Sequence, residues 1–224
     1  MASVKICGLT RESDIEEAIR AGADRVGFVV VPASPRAITH EQLSIFANRT
    51  YHRRLGGWAQ VWVVADWTAA NRSPADKFDG LINELSEVHT VQLHGGETPE
   101  EVADFKRRVP RVKVIKALGV ATREDLAQVD AFKAADGFLL DAKPPRGADR
   151  QGGFGKSFDW SILKGFNPGK PWVLSGGLTP ENVEQALRIS GAVAVDVSSG
   201  VEASPGVKDP AKVRAFVKAA KAVV

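Results

Sequence analysis

Two side chains of this sequence are suited to moving protons, and they lie far apart along the chain. One is Cys7, the single cysteine, in VKICGLT (4–10); the other is Asp141, which closes the apolar run GFLLD (137–141). A thiol has an ordinary pKa of about 8.5 and serves as a base when a nearby cation or dipole lowers that value. A carboxylic acid in a water-poor pocket is conversely held protonated and can donate its proton. Each also has a plainer use, since a buried cysteine fills apolar space and an aspartate after a strand satisfies a turn. Position is what joins them: both end apolar runs of strand character.

Other strand ends carry features suited to anions. Gly176-Gly177 in SGGLTPEN (175–182) can bring backbone N–H groups close to a phosphate, and Ser198, Ser199 and Gly200 add two hydroxyls and a flexible amide. Either loop alone reads as a simple turn; the two together favour phosphate. Arg36 follows the second apolar run, Asp66 the third and His94 the fourth. Strand alternation puts Lys5 on the same side as Cys7, one layer below, where a buried ammonium needs a partner such as Asp196. The segment GGFGKS (152–157) is no nucleotide-binding P-loop, because Arg150 stands where that pattern needs glycine. A glycine-rich flap that brings Lys156 near a ligand and a merely flexible loop have about equal weight.

The elements that must position these groups are legible as alternation. Eight short apolar segments recur, at 4–7, 25–31, 58–64, 91–93, 113–118, 137–141, 171–175 and 192–197. Helical spacing separates several of them, as in 13–22, 98–109, 122–132, 179–189 and 209–224, with Ser13, Thr98, Thr122, Thr179 and Asp209 as expected caps. Continuous apolar strands alternating with helices imply a parallel sheet with right-handed crossovers. Eight such units in 224 residues predict an α/β fold, a closed (β/α)8 TIM barrel occupying 1–224 as a single domain. An open doubly wound sheet would show the same alternation, but it usually carries a glycine fingerprint where this chain has CGLT. In a barrel the strand ends and the loops after them share one face, so the proton-moving and anion-binding residues converge there.

Composition bounds the partners. Hydrophobic residues make up 44% and charged residues 25%, ordinary globular usage that argues against disorder. The formal charge is +3, without a Lys/Arg block longer than two, so nucleic acid is not indicated and a small anionic ligand is equally well served. No apolar run approaches bilayer length, and a cytoplasmic address follows by default. One cysteine forms no internal disulfide. The four histidines suggest no metal site, and His94 stands at its strand end without a ligand cluster beside it.

KICGLT (5–10), GFVVVPASPR (27–36), VQLHG (91–95), LLDAKPP (139–145), GGFGKSFDW (152–160), LSGGLTPENV (174–183) and VDVSSGVEASPGVKD (195–209) together resemble the phosphoribosylanthranilate isomerase family. The resemblance runs in order from the first strand to the last helix. It implies a (β/α)8 barrel and an Amadori rearrangement of N-(5-phosphoribosyl)anthranilate, in tryptophan biosynthesis, without any cofactor. By that resemblance Asp141 is the general acid, Cys7 the general base, and Arg36 the reader of the anthranilate carboxylate. Gly176, Gly177, Ser198, Ser199 and Gly200 take the phosphate, and His94, Gly153, Lys156 and Asp196 line the substrate. The expected partner is this small phosphorylated molecule, with no nucleic acid or membrane, and the chain is a monomer or a homodimer. Two positions depart from the family pattern: Phe154, where a small polar residue is usual, and Asp66, where asparagine is more common. Another phosphosugar barrel isomerase is the first alternative, although the histidine-pathway relative uses aspartate where this chain has Cys7. A catalytically silent phosphometabolite-binding barrel is the second, and it predicts loss of Cys7 or Asp141, both of which are present.

Overall fold

The computed structural model describes residues 1–39, 41–46, 59–65, 88–143 and 157–223. Eight strands close a parallel barrel in chain order: β1 Ser3–Cys7, β2 Arg25–Val29, β3 Ala59–Val64, β4 Thr90–Leu93, β5 Lys113–Val120, β6 Gly137–Ala142, β7 Trp172–Leu174 and β8 Ala194–Val197. β8 returns to pair with β1, placing Lys5 beside Asp196 and Ile6 beside Val197. All eight predicted strands are present; the second, seventh and eighth are shorter than their apolar runs, and the first residue of the third run, Trp58, lies outside the described residues.

The apolar residues divide by strand face. Ile6, Phe28, Val91, Val114, Leu140 and Val195 point outward into the main core, which they share with helix residues such as Val102, Phe105, Val213 and Phe216. The barrel interior holds a smaller layer of Ala117, Leu139 and Val173, flanked by Ile115 and Ala194. Two residues further along their strands, the inward positions become polar, as Leu139 gives way to Asp141 and Ala194 to Asp196. An apolar plug therefore closes the barrel beneath a polar mouth, the arrangement that supports chemistry at the C-terminal strand ends.

The helix starts are met in part. Thr98 accepts from the Glu101 N–H and Glu101 reaches back to the Thr98 N–H, a full capping box on the helix Pro99–Arg108. Asp209 caps Pro210–Ala222 by accepting from Ala211 and Lys212. Ser13 is not a cap: the helix Glu12–Ala21 begins before it, and Asp14 binds Arg11 and the Lys208 N–H. The segment after Thr122 forms a 3-10 helix, Glu124–Ala131, in which the Asp125 carboxylate takes the Ala121 and Thr122 N–H groups. Thr179 gives way to Asn182, whose carbonyl accepts from the Thr179 N–H while its amide donates to the Gly177 carbonyl, and the helix Val183–Ser190 follows.

Candidate active site

Cys7 is the last residue of β1 and lies opposite Gly27 on β2. A side chain at Gly27 would place its Cβ 2.8 Å from the Cys7 sulfur and 2.9 Å from the Lys5 Cε, so the missing Cβ is the room in which thiol and ammonium sit. The sequence signal was available, since a glycine inside a strand often marks such a close approach. Below the thiol, the Lys5 ammonium faces Asp196 at 3.0 Å and donates to the Gln92 side-chain carbonyl at 2.8 Å. Asp196 is thus the partner that the buried Lys5 requires. The oxygen facing Lys5 accepts no well-aligned hydrogen bond, which makes this contact mainly Coulombic, and Ser175 reaches the other oxygen at 3.4 Å.

Lys5 does not activate the thiol in the way a neighbouring cation suggests. Burial pushes the Cys7 thiol above its ordinary value, and the opposing pull of Lys5 is too small to reverse this, with Asp196 adding to the rise. For Lys5, burial works against the charge, but Asp196 and then Cys7 outweigh it and hold the ammonium above its ordinary value. A cation already committed to a carboxylate lends little of its field to a second group.

His94 follows β4 and does not stand alone. Its Nδ1 lies 2.6 Å from the Gln92 amide nitrogen, and its Nε2 lies 3.4 Å from the Asp141 carboxyl. The turn after it is fixed by a buried ion pair: Lys116 reaches Glu97 and the Gly95 carbonyl, both at 2.8 Å, while Glu97 accepts from the Gly95 N–H. Asp141, inward on β6, accepts from the Ala142 N–H at 2.8 Å through Oδ1 and faces His94 with Oδ2. Gly176, with φ of 89°, lets the loop after β7 reach this carboxyl, since a Cβ there would collide with the Ala142 nitrogen and lie 2.8 Å from Asp141 Oδ1.

The loops after β7 and β8 meet. Gly177 also has a positive φ, and a Cβ on Gly200 would collide with the Leu178 carbonyl oxygen, so neither chain reversal tolerates a side chain between them. Ser198 opens the second loop; its carbonyl and hydroxyl both accept from Lys208, at 3.1 and 3.4 Å. Lys208 also donates to Glu202 at 2.9 Å, and Glu202 accepts two 2.7 Å bonds from Arg36. Glu202 and Lys208 belong to the antiparallel strands β9 Glu202–Ser204 and β10 Val207–Lys208. Arg36 is therefore held along its Nε edge, which leaves the end formed by its two terminal nitrogens for a ligand carboxylate. Arg36 and Lys208 outweigh burial and hold the Glu202 carboxyl below its ordinary value. The stability that this charge contributes is present above the ordinary carboxylate pKa of 4.5 and is lost as the pH falls through the lower folded value.

Cys7, Lys5, Asp196, Gln92, His94 and Asp141 form one connected set, and Arg36 joins Ser198 through Glu202 and Lys208. Gly153 and Lys156, together with Phe154 and Asp66, lie outside the described residues. Gln92, Glu202 and Lys208 escaped the sequence reading. Gln92 had a visible signal, a polar residue inside an apolar strand on the same face as His94. Among the described residues, no group of three or more His, Cys, Asp or Glu side chains is placed to hold a metal ion.

Fold and strand-end groups together define a (β/α)8 barrel with titratable side chains and glycine turns gathered at one mouth. The family model for N-(5'phosphoribosyl)anthranilate (PRA) isomerase matches residues 4–219, and the chain belongs to that family. It is 46% identical over 222 residues to the N-(5'-phosphoribosyl)anthranilate isomerase of Hyphomonas neptunium, covering 99% of this chain and 98% of the relative. Among solved structures, the phosphoribosyl anthranilate isomerase of Thermotoga maritima superposes with a TM-score of 0.81 at 37% identity, covering 99% of this chain and 100% of that one. A phosphoribosyl anthranilate isomerase solved with reduced 1-(o-carboxyphenylamino)-1-deoxyribulose 5-phosphate gives a TM-score of 0.77 at 34% identity, with the same coverage.

Proposed function

We propose that the chain converts N-(5-phosphoribosyl)anthranilate to 1-(2-carboxyphenylamino)-1-deoxyribulose 5-phosphate in tryptophan biosynthesis, in the cytoplasm, with Asp141 as acid and Cys7 as base. Asp141 gives its proton to the ribose ring oxygen, and the bond from that oxygen to C1' breaks to leave a protonated Schiff base. The Cys7 thiolate removes the C2' proton, and the freed electron pair forms the C1'–C2' double bond of an enolamine. Tautomerisation returns a proton to C1' and releases one from the C2' hydroxyl, so the rearrangement is redox-neutral overall. Gly176, Gly177, Ser198, Ser199 and Gly200 hold the phosphate, while the free end of the Arg36 guanidinium takes the anthranilate carboxylate. The reading is carried by one observation: a thiol and a carboxyl at the C-terminal strand ends belong to one connected polar network beside two glycine turns.

Purified protein is expected to consume the fluorescent anthranilate substrate with a chelator present and no nucleotide added, and to restore growth of a tryptophan auxotroph lacking this step. Failure of both sinks the reading. Glu202→Gln probes the carboxylate end. Weakening a charge-assisted pair that orients Arg36 costs about 1.5–3 kcal/mol, roughly a 10- to 100-fold rise in KM, with kcat little changed. A KM equal to that of the unmodified enzyme would separate Arg36 orientation from substrate affinity.

A further inference from the structure

The chain of contacts from Lys5 to Asp141 has a fixed polarity. An ammonium only donates, so the Gln92 oxygen that receives the 2.8 Å bond from Lys5 is its carbonyl oxygen. The other end of that amide is then its NH2 group, which points at His94 Nδ1 from 2.6 Å. An NH2 group needs an acceptor, so Nδ1 carries a lone pair and the ring proton sits on Nε2, facing Asp141. Gln92 and Lys5 are both buried, which leaves water little access to relax this ordering.

We infer that Gln92 is a positioning residue that, held by Lys5, locks His94 as an Nε2–H donor so that the ring cannot take the proton of Asp141. Asp141 Oδ1 is occupied by the Ala142 N–H, and the transferable proton therefore belongs on Oδ2, the oxygen beside His94. In the opposite tautomer Nε2 would present a lone pair to that proton, draw it off as imidazolium and leave a carboxylate with nothing to donate. Donation by Gln92 excludes this state, so the proton of Asp141 has no route to the ring. The inference rests on Asp141 being the acid of the proposed reaction.

The test is long-range 1H–15N correlation spectroscopy of the ring nitrogens, assigned by the signals that vanish in His94→Asn, together with steady-state kinetics. The unmodified protein is expected to show a bare Nδ1 and a protonated Nε2 for His94. Gln92→Glu puts an acceptor against Nδ1 and is expected to protonate it, with kcat falling by about 10²-fold, the lower end of a general-acid contribution. Placed in His94→Asn, the same substitution should change kcat by less than about twofold, because no basic nitrogen then faces Asp141. Gln92→Leu covers the case in which the glutamate variant does not fold; it is expected to give a mixture of tautomers. A protonated Nδ1 in the unmodified protein, or an equal loss from Gln92→Glu with and without His94, overturns the inference. If the unmodified protein does not isomerise the substrate, the proposed function fails, and the spectrum alone still decides the tautomer.

Discussion

Asp141→Asn is expected to reduce kcat by about 10²–10⁴-fold while leaving KM within a few-fold, the size and pattern of losing one general acid. Asparagine keeps the volume and planarity of the side chain but carries no transferable proton. It also changes the hydrogen bonding, since Oδ1 accepts from the Ala142 N–H and Oδ2 faces His94 Nε2, a donor in the tautomer inferred above. An amide can accept at one of these positions only, and its NH2 group meets a donor at the other. Binding should persist because the turns proposed to hold the phosphate and Arg36 follow other strands and are held by separate bonds. Steady-state kinetics on protein with an unchanged thermal transition provides the check. A kcat equal to that of the unmodified enzyme would remove Asp141 from the proton path and return the carboxyl to a turn-satisfying role.

The parts of this molecule that the sequence reveals are those set by local chemistry. Apolar runs mark strands because each is buried on both faces, and the polar residues that end them mark the mouth of the barrel. Thr98 and Asp209 read correctly because a cap is closed within three residues. Ser13 and Thr122 misled because neighbouring carboxylates fix the chain there, Asp14 by binding Arg11 and the Lys208 N–H and Asp125 by taking the Ala121 and Thr122 N–H groups, whereas Thr179 does accept from the Glu181 N–H ahead of a helix that starts only at Val183. Contacts across the barrel are different in kind. Lys5 and Gln92 are 87 residues apart, and Arg36 and Glu202 are 166 apart, so no periodicity or motif links them. Lys5 with Asp196 was readable because a buried ammonium demands a partner, whereas nothing local requires Gln92 to choose Lys5. The ionisation of the thiol was not legible for a related reason: the sequence brings a cation near Cys7 but does not show that Lys5 is already paired with Asp196.

Cys7→Ala is expected to lower kcat/KM by about 10²–10⁴-fold near neutral pH, and its pH dependence identifies the thiol more sharply than the loss itself. Burial holds the Cys7 pKa above its ordinary value, so the free enzyme carries Cys7 mostly as the thiol at neutral pH. The unmodified enzyme should therefore gain kcat/KM steadily as the pH rises through 8 and continue to gain above 9.0, while Cys7→Ala shows no such limb. Stability moves the opposite way. A thiol whose folded value is raised favours the fold fully below its ordinary value, and that contribution is lost as the pH climbs through the folded value. Over the alkaline range in which activity increases, the unmodified protein should thus lose thermal stability faster than Cys7→Ala. A flat rate profile in the unmodified enzyme, or an alkaline limb that survives in Cys7→Ala, would place the base elsewhere. Parallel melting profiles would show instead that the thiol ionises alike in the folded and unfolded chain, so that burial does not raise it.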